Sequence, residues 1–490
     1  MSTSGEELFT LDAQSPDSRP RQSPAGEAKR FREYDQSQQF LLPPSLDDWL
    51  AVDDEARFIS EIVDDVLDLT DIYASYEKLR GAPPYDPAMM LKVLLYAYST
   101  GITSSRKIER ACQRDIAFRW LSGNQTPDYR SLARFRKRHL DAFGAVFTQV
   151  LAVCAQAGMV KLGRVALDGT KLHADASKHK AMSYDRMDAK LHALQAEVEA
   201  LVADAERTDD AEDAQYGEDQ RGDEIPAELK DRTRRIAKLQ AAKADLEADA
   251  QAKAGQKARD KAATAQKSPA EQEQAAEDAA DQAVPEPRAQ RNFTDPEARM
   301  MKTNHGFDYA YNGQAIVDDT SQVIIATDLG QQATDVQQLI PMHETMTDQL
   351  RQSGIEEDPA VFLADAGYCS KANLAAADQW PATALIATGR ELKGETFTTA
   401  QDPLPEKATA RETMAHRLRQ PDGHEHYARR KAIVEPVFGQ IKTRQRAGQL
   451  RLRGLAAANG EWVLHALCHN LRKLRLGSVF QAGKGAVTPA

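Results

Sequence analysis

Three carboxylates stand where the chain could do chemistry. Asp168 follows the apolar run "RVAL" and precedes Gly169-Thr170, and Asp365 follows "VFLA" and precedes Ala366-Gly367-Tyr368. An acid at the end of a buried strand is held rigidly while it faces a cleft. Taken singly, such an aspartate is more often a turn or capping residue. Glu435 lies in "KAIVEPVFGQIK", four residues after Lys431 and seven before Lys442. Seven residues is nearly two helical turns, so Glu435 and Lys442 share a face. Pro436 predicts that this helix starts or kinks there. Basic side chains beside a carboxylate supply the phosphate contacts that phosphodiester chemistry needs, although a salt-bridged helix residue would look the same. Hard divalent ions such as Mg²⁺ or Mn²⁺ prefer carboxylate oxygens. Two such ions, about 3.5–4 Å apart, serve in-line displacement at phosphorus, and three carboxylates suffice as their protein ligands.

Other candidates are weaker. His465 and His469 have a zinc-compatible spacing of four, but no further ligand is near, so a packed helix face is expected. Asp175, in "HADASKHK", reads as a loop acid, and Asp318, Asp319 and Asp328 read as hairpin acids. Lys171, Lys178 and Lys180 closely follow Asp168 and would lie either beside a bound polyanion or in a solvated loop. The four cysteines are scattered without a CxxC pair, which suits a reducing cytoplasm rather than a disulfide scaffold.

The elements that must position these residues follow from periodicity. Residues 1–30 read as a disordered tail, rich in Ser, Pro, Gln and charge. Residues 35–160 read as helical, with Phe58, Ile62, Val66, Leu69, Ile72 and Tyr76 at helical spacing. Within them, Ser104 to His139 carries ten Lys and Arg against three acids. It reads as two short helices around a Gly-Asn-Gln-Thr-Pro turn. The second helix presents Arg130, Arg134, Arg136, Lys137 and Arg138 either to DNA or to solvent. Residues 161–184 and 291–480 read as an α/β layer, with a strand, a hairpin of strands, then alternating helices and strands. Residues 185–290 interrupt that layer. Leu191, Leu194, Val198 and Leu201 form one seam and Ile236, Leu239 and Leu246 another, which predicts an acidic helical hairpin followed by a poorly ordered stretch.

The chain has 490 residues and a net charge of −11. That sign argues against a nucleic-acid partner until it is resolved by segment. Residues 185–290 carry nearly all of it, and the remainder is close to neutral. No apolar run is long enough for a membrane span, and the N-terminus lacks the pattern of a secretory signal.

The segments "LDGTKLHADASKHK", "FLADAGY" and "YARRKAIVEPVFGQIK" resemble the three signatures of bacterial insertion-sequence transposases of the DDE type. The likeness is to the group with a Tnp_1-type catalytic domain and an InsH-like helical N-terminal domain. It spans about residues 35–475 in family order. In the last signature Tyr427, Arg430, Glu435 and Lys442 match the family's Tyr, Arg, Glu and Lys, with one more residue than usual between Arg and Glu. Arg429, Arg430 and Lys431 therefore remain candidates for the phosphate clamp. The resemblance implies an RNase H-like mixed-sheet domain beside an all-α N-terminal domain, with Asp168, Asp365 and Glu435 as catalytic ligands of two Mg²⁺ or Mn²⁺ ions. It implies phosphate contacts from Tyr427, Arg430, Lys431, Lys442 and Lys171, and cleavage and strand transfer at terminal inverted repeats in double-stranded DNA. A homo-oligomer on DNA in the bacterial cytoplasm, at the nucleoid, fits that task. The alternatives are an RNase H-like metal nuclease without strand transfer, and a domesticated DNA-binding protein without catalysis.

Overall fold

A computed structural model describes residues 45–76, 83–216, 227–303, 306–389, 404 and 407–485, with the backbone alone for 201–216, 227–230 and 478–485. The expected tail, 1–30, lies outside these. The helical part comprises α1 (Leu46–Trp49), α2 (Glu55–Glu61), a π-helical turn (Ile62–Val66), α3 (Thr70–Ala74), α4 (Pro87–Ser99), α5 (Ser105–Arg114), α6 (Ile116–Leu121), α7 (Tyr129–Arg138) and α8 (Leu140–Gln156). Local chemistry sets the helix ends. Asp86 accepts a hydrogen bond from the Met89 N–H with Pro87 at the first helical position, and Gly101 leaves α4 at φ +79°. The basic segment folds as three short helices rather than the expected two. Asp115 adopts an extended conformation and caps α6 through the N–H groups of Ala117 and Phe118, which breaks the run.

The sheet is built from β1 (Arg164–His173), β4 (Arg299–Thr303), β5 (Gly306–Asp318), β6 (Ile324–Gly330), β7 (Val361–Ala364) and β8 (Thr383–Ile386). A separate pair, β2 (Ala181–Ser183) and β3 (Gln290–Asn292), closes the base of the insertion. Strand order is β6-β5-β1-β7-β8, with β4 pairing the start of β5. The β1–β5 and β5–β6 pairs are antiparallel, whereas β1–β7 and β7–β8 are parallel. β1 and β7 therefore bury apolar runs on both faces, Val165–Leu167 and Val361–Ala364.

The remaining helices are α9 (Tyr184–Tyr216), α10 (Ala227–Thr264), α11 (Pro269–Asp281), α12 (Leu339–Gln352), α13 (Lys371–Ala377), α14 (Ala410–Arg419), α15 (Pro421–Ala428), α16 (Arg430–Thr443) and α17 (Leu455–Gly485). α17 joins the helical part to the sheet. Its Trp462 donates to the Gln314 carbonyl on β5, and its Glu461 accepts from Tyr98 on α4. Its Asn470 side chain satisfies both the N–H and the carbonyl of Ile324 on β6.

The insertion has its own small core of Met187, Leu191, Leu194, Leu239, Ala242 and Leu246. Polar pairs cross α9 and α10 in opposite chain directions: Tyr184 with Glu247, Asp188 with Lys243, and Glu197 with Arg232. The Ala-rich acidic stretch expected to be poorly ordered instead continues α10 to Thr264 and forms α11. Ser268 and Glu271 make a reciprocal capping box there, and Ala276 packs α11 against Gly255 of α10. Small residues let the two helices approach closely, a packing signal that charge and composition conceal.

Candidate functional site

β1 does not end at Asp168, as its apolar-to-polar switch suggested. It runs on to His173 because the long strand β5 pairs with it throughout, from Val165↔Asp318 to His173↔Ala310. What ends there is the parallel pairing with β7, whose last pair is Leu167↔Ala364. Asp168 and Asp365 are thus the next residues on two adjacent strands. Beyond β7, the same edge of β1 is next met at His173, by Gln449. Residues 168–172 lie in a window on that edge between the two contacts.

Asp365 is fixed by its turn, where its Oδ1 accepts from the Gly367 N–H at 2.7 Å. Asp168 Oδ1 accepts from the Gly169 N–H at 2.8 Å, and its Oδ2 accepts from Arg430 Nη1 at 3.1 Å. Burial pushes the Asp168 carboxyl up to about 6, and the charge of Asp365 adds to this, while Arg430 and the Gly169 N–H pull it down. Burial disfavours the charge on Arg430, but Asp168, Tyr427 and Asp365 outweigh it and raise its pKa. Arg430 is 7% exposed, so it is a buried partner of Asp168 at the first turn of α16.

α16 does not start at Pro436 but runs from Arg430 to Thr443 with the proline inside it. A proline cannot donate to the carbonyl four residues back, here Ala432. Gln322 replaces the missing donor, with Nε2 to Ala432 O at 2.9 Å. Gln322 sits in the β5–β6 turn at φ +58°, and its Oε1 and backbone carbonyl accept from Lys473 and His469 of α17. His469 is therefore a packed histidine, and His465 likewise faces Gln445 at 2.8 Å. Burial lowers them to about 4 and about 3 respectively.

Glu435 is exposed on α16, and among the described residues no His, Cys, Asp and Glu set of three is gathered closely enough to hold a metal. The structure brings together Asp168, Asp365, Arg430, Lys171 and Lys442, but leaves Glu435 and Lys431 on the exposed helix surface. Lys442 reaches β1 and donates to the Lys171 carbonyl at 3.2 Å. Burial lowers its pKa, and the Lys171 charge adds to that. Tyr427 is half-buried on α15 beside Arg430. Lys171 lies on β1, not in a solvated loop, and its ammonium pairs with Asp335 at 3.3 Å.

Asp335, in the segment between β6 and α12, was missed in the sequence. Its Oδ1 accepts from Asn312 Nδ2 at 2.6 Å, Gln314 Nε2 at 2.9 Å and Lys171 Nζ. Tyr368 in turn donates to Gln314 Oε1. Nothing in "QQATDVQQL" marks this acid, because its partners come from two other strands. The one local hint is Gly169, where a Cβ would lie 2.5 Å from Gln314 Nε2 and 2.7 Å from Asp335 Oδ1.

The basic helix α7 divides. Arg130, Arg134, Lys137 and Arg138 are exposed, although Arg138 also covers the Tyr76 ring at 4.6 Å. Arg136 is not a surface contact, since it is 6% exposed and donates to Tyr98 Oη at 2.7 Å and Thr103 O at 2.8 Å. Its position one turn from Leu132 turns it into the core. Asp175 is a loop acid paired with Arg453.

Two family models match this chain. Residues 44–138 match a transposase domain (DUF772), and residues 273–471 match a transposase DDE domain. The second match contains Asp365, Arg430, Glu435 and Lys442, whereas Asp168 falls between the two. No curated protein and no solved structure matches the chain. An acidic pair just past the last β1–β7 pairing, flanked by the buried Arg430 and the half-buried Lys171 and Lys442, lies on a mixed α/β fold in a chain that carries two transposase domains. The chain thus carries a transposase domain and a transposase DDE domain, which supports a likeness to the insertion-sequence transposases of the DDE type. No helix among the described residues is long and apolar enough to cross a membrane.

Proposed function

We propose that the chain cuts and joins DNA at the ends of an insertion sequence, with Asp168, Asp365 and Glu435 as its catalytic carboxylates. The observation that carries this reading is the register of β1 and β7, which sets Asp168 beside Asp365 where the pairing of the two strands ends. The strand order β6-β5-β1-β7-β8, with one antiparallel strand beside β1, supports an RNase H-like reading of the catalytic part, residues 161–184 and 291–480. Residues 35–160 then form the DNA-binding part, and 185–290 the insertion.

The pair suits a divalent cation. Burial makes the Asp168 charge costly, and a cationic group, Arg430, already lies on it. Asp168, Asp365 and Glu435 would hold Mg²⁺ or Mn²⁺, which would supply activation of the attacking oxygen and charge stabilisation at the leaving one. Glu435 and Lys442 share one side of α16, and Arg430 and Lys442 anchor that helix at Asp168 and Lys171. Glu435 therefore lies on the stretch between two anchors and has to turn inward to join the pair. Arg430, Lys442 and Lys171 orient phosphate at the window, with Tyr427 beside them, and Lys431 meets phosphate from the exposed surface of α16. Arg130, Arg134, Lys137 and Arg138 hold the DNA end against α7. Two ends must meet, so the active form is an oligomer on DNA.

The test is incubation of the purified chain with Mg²⁺ and a supercoiled plasmid carrying the flanks of its gene. Breaks that leave 3′-hydroxyls at the element boundary, followed by joined products, are expected. Breaks without joined products would make it a nuclease. Full cleavage by Asp365→Ala would refute the catalytic assignment.

A further inference from the structure

Lys171 and Lys442 meet the open window of β1 by different routes. Lys442 arrives from α16 and donates to the backbone of Lys171. Lys171 projects to the face of β1 that it shares with Gly169, opposite Asn312 and Gln314 of β5. Three donors converge there on a single oxygen, Oδ1 of Asp335: Asn312 at 2.6 Å, Gln314 at 2.9 Å and Lys171 at 3.3 Å. Asn312 and Gln314 are fully buried, and Gln314 is itself held by Tyr368. Such a carboxylate cannot swing. The ion pair is partly shielded, with side-chain exposures of 19% for Lys171 and 26% for Asp335, so its geometry is better defined than that of a surface pair. An ammonium has three hydrogens, and Asp335 accepts one, which leaves Lys171 able to bind a second anion.

We propose that Asp335 is a positioning residue that acts through Lys171. It fixes the Lys171 ammonium beside the Asp365 turn, where a Cβ at Gly367 would lie 2.9 Å from Asp365 Oδ1 and 3.6 Å from Asp335 Oδ2, and there the ammonium receives a DNA phosphate together with Lys442. The glycine at 169 belongs to the same device, since any side chain there would enter the space of Gln314 Nε2 and Asp335 Oδ1. The inference rests on the DNA-processing reading of the site, and adds to it a fourth acid whose task is to orient a cation rather than to meet the reacting atoms.

The experiment measures binding of a short fluorescent DNA duplex by the full chain in EDTA across a range of salt, so that neither cleavage nor metal enters the readout. Phosphate contacts are independent of sequence, and each lost contact lowers the salt slope by about 0.9. Lys171→Gln and Asp335→Asn are each expected to weaken binding on the order of fivefold and to lower the slope by about one. Asp335→Asn combined with Lys171→Gln is expected to be no worse than Lys171→Gln alone, and Asp335→Glu to recover most of the loss. Wild-type binding and slope in folded Asp335→Asn, or additive losses in the double variant, would overturn the proposal. If Asp335→Asn does not fold, Lys171→Gln decides from the other end of the pair, and an unchanged slope there would overturn it equally. No binding by the wild-type chain would instead sink the DNA-processing reading itself.

Discussion

The floor of the sheet and the inserted helices α9–α11 are both studded with acids, yet they treat them in opposite ways. On α9, Asp188 is 46% exposed, and a hydrogen bond from Lys243 pulls its pKa below the ordinary value. On β1, Asp168 is 20% exposed, and burial pushes its carboxyl up to about 6 even though Arg430 touches it. Water screens and stabilises the first charge, whereas the second is held in a medium where charge is costly. The insertion holds nearly all of the net negative charge, but the acid poised for chemistry is the less exposed of these two.

This contrast can be broken by substitution. The largest effect is expected at the floor: Asp168→Ala or Asp365→Ala should abolish plasmid cleavage with DNA binding retained, while Asp188→Ala should cleave like wild type. Equal losses from both regions would dissolve the distinction.

The second effect concerns pH. The folded chain keeps a proton on Asp168 that the unfolded chain has released between pH 3.8 and about 6. Stability therefore falls as pH rises through that window. At about 1.4 kcal/mol per pKa unit the contribution is on the order of 3 kcal/mol. Urea unfolding in EDTA should show this slope in the wild type and lose it in Asp168→Asn. An identical slope in both would place the titration elsewhere.

A third, smaller effect is expected from Gly169→Ala. Its Cβ would come within 2.5 Å of Gln314 Nε2, an overpacking that costs about 1–3 kcal/mol. In the insertion, Gly255→Ala would press on the Ala276 carbonyl at only 3.1 Å, so its loss should be the lesser of the two in thermal unfolding.

The smallest effect is expected at Gln322→Ala, which leaves the Ala432 carbonyl to water at a cost of about 1 kcal/mol or less. Cleavage should fall more than stability does, because the helix that carries Glu435 loses its brace to α17. Unchanged cleavage would show that α16 needs no such brace.

Much of the floor was legible because it depends on short apolar runs. "RVAL" and "VFLA" announce two buried strands, and each is followed by an aspartate. The hairpin from β5 to β6 likewise follows from local residues. Misreadings arose where a distant partner overrode local pattern. β5 extended β1 past Asp168, Gln322 let α16 continue through Pro436, and Tyr98 with Thr103 drew Arg136 inward from an otherwise exposed basic helix. The order of α11 depended on close packing against Gly255, which acidic composition cannot reveal.

By itself, then, the sequence determined which side chains are present, which strands are apolar on both faces, and which acids follow them, since these depend on residue type and spacing. Only the tertiary structure decided that Asp168 and Asp365 are register neighbours, that Arg430 and Lys442 approach β1 from one helix, and that Asp335 holds Lys171. The physical reason is that burial and pairing energies depend on distance through space, and the residues of this site are brought together from more than two hundred and fifty positions of chain.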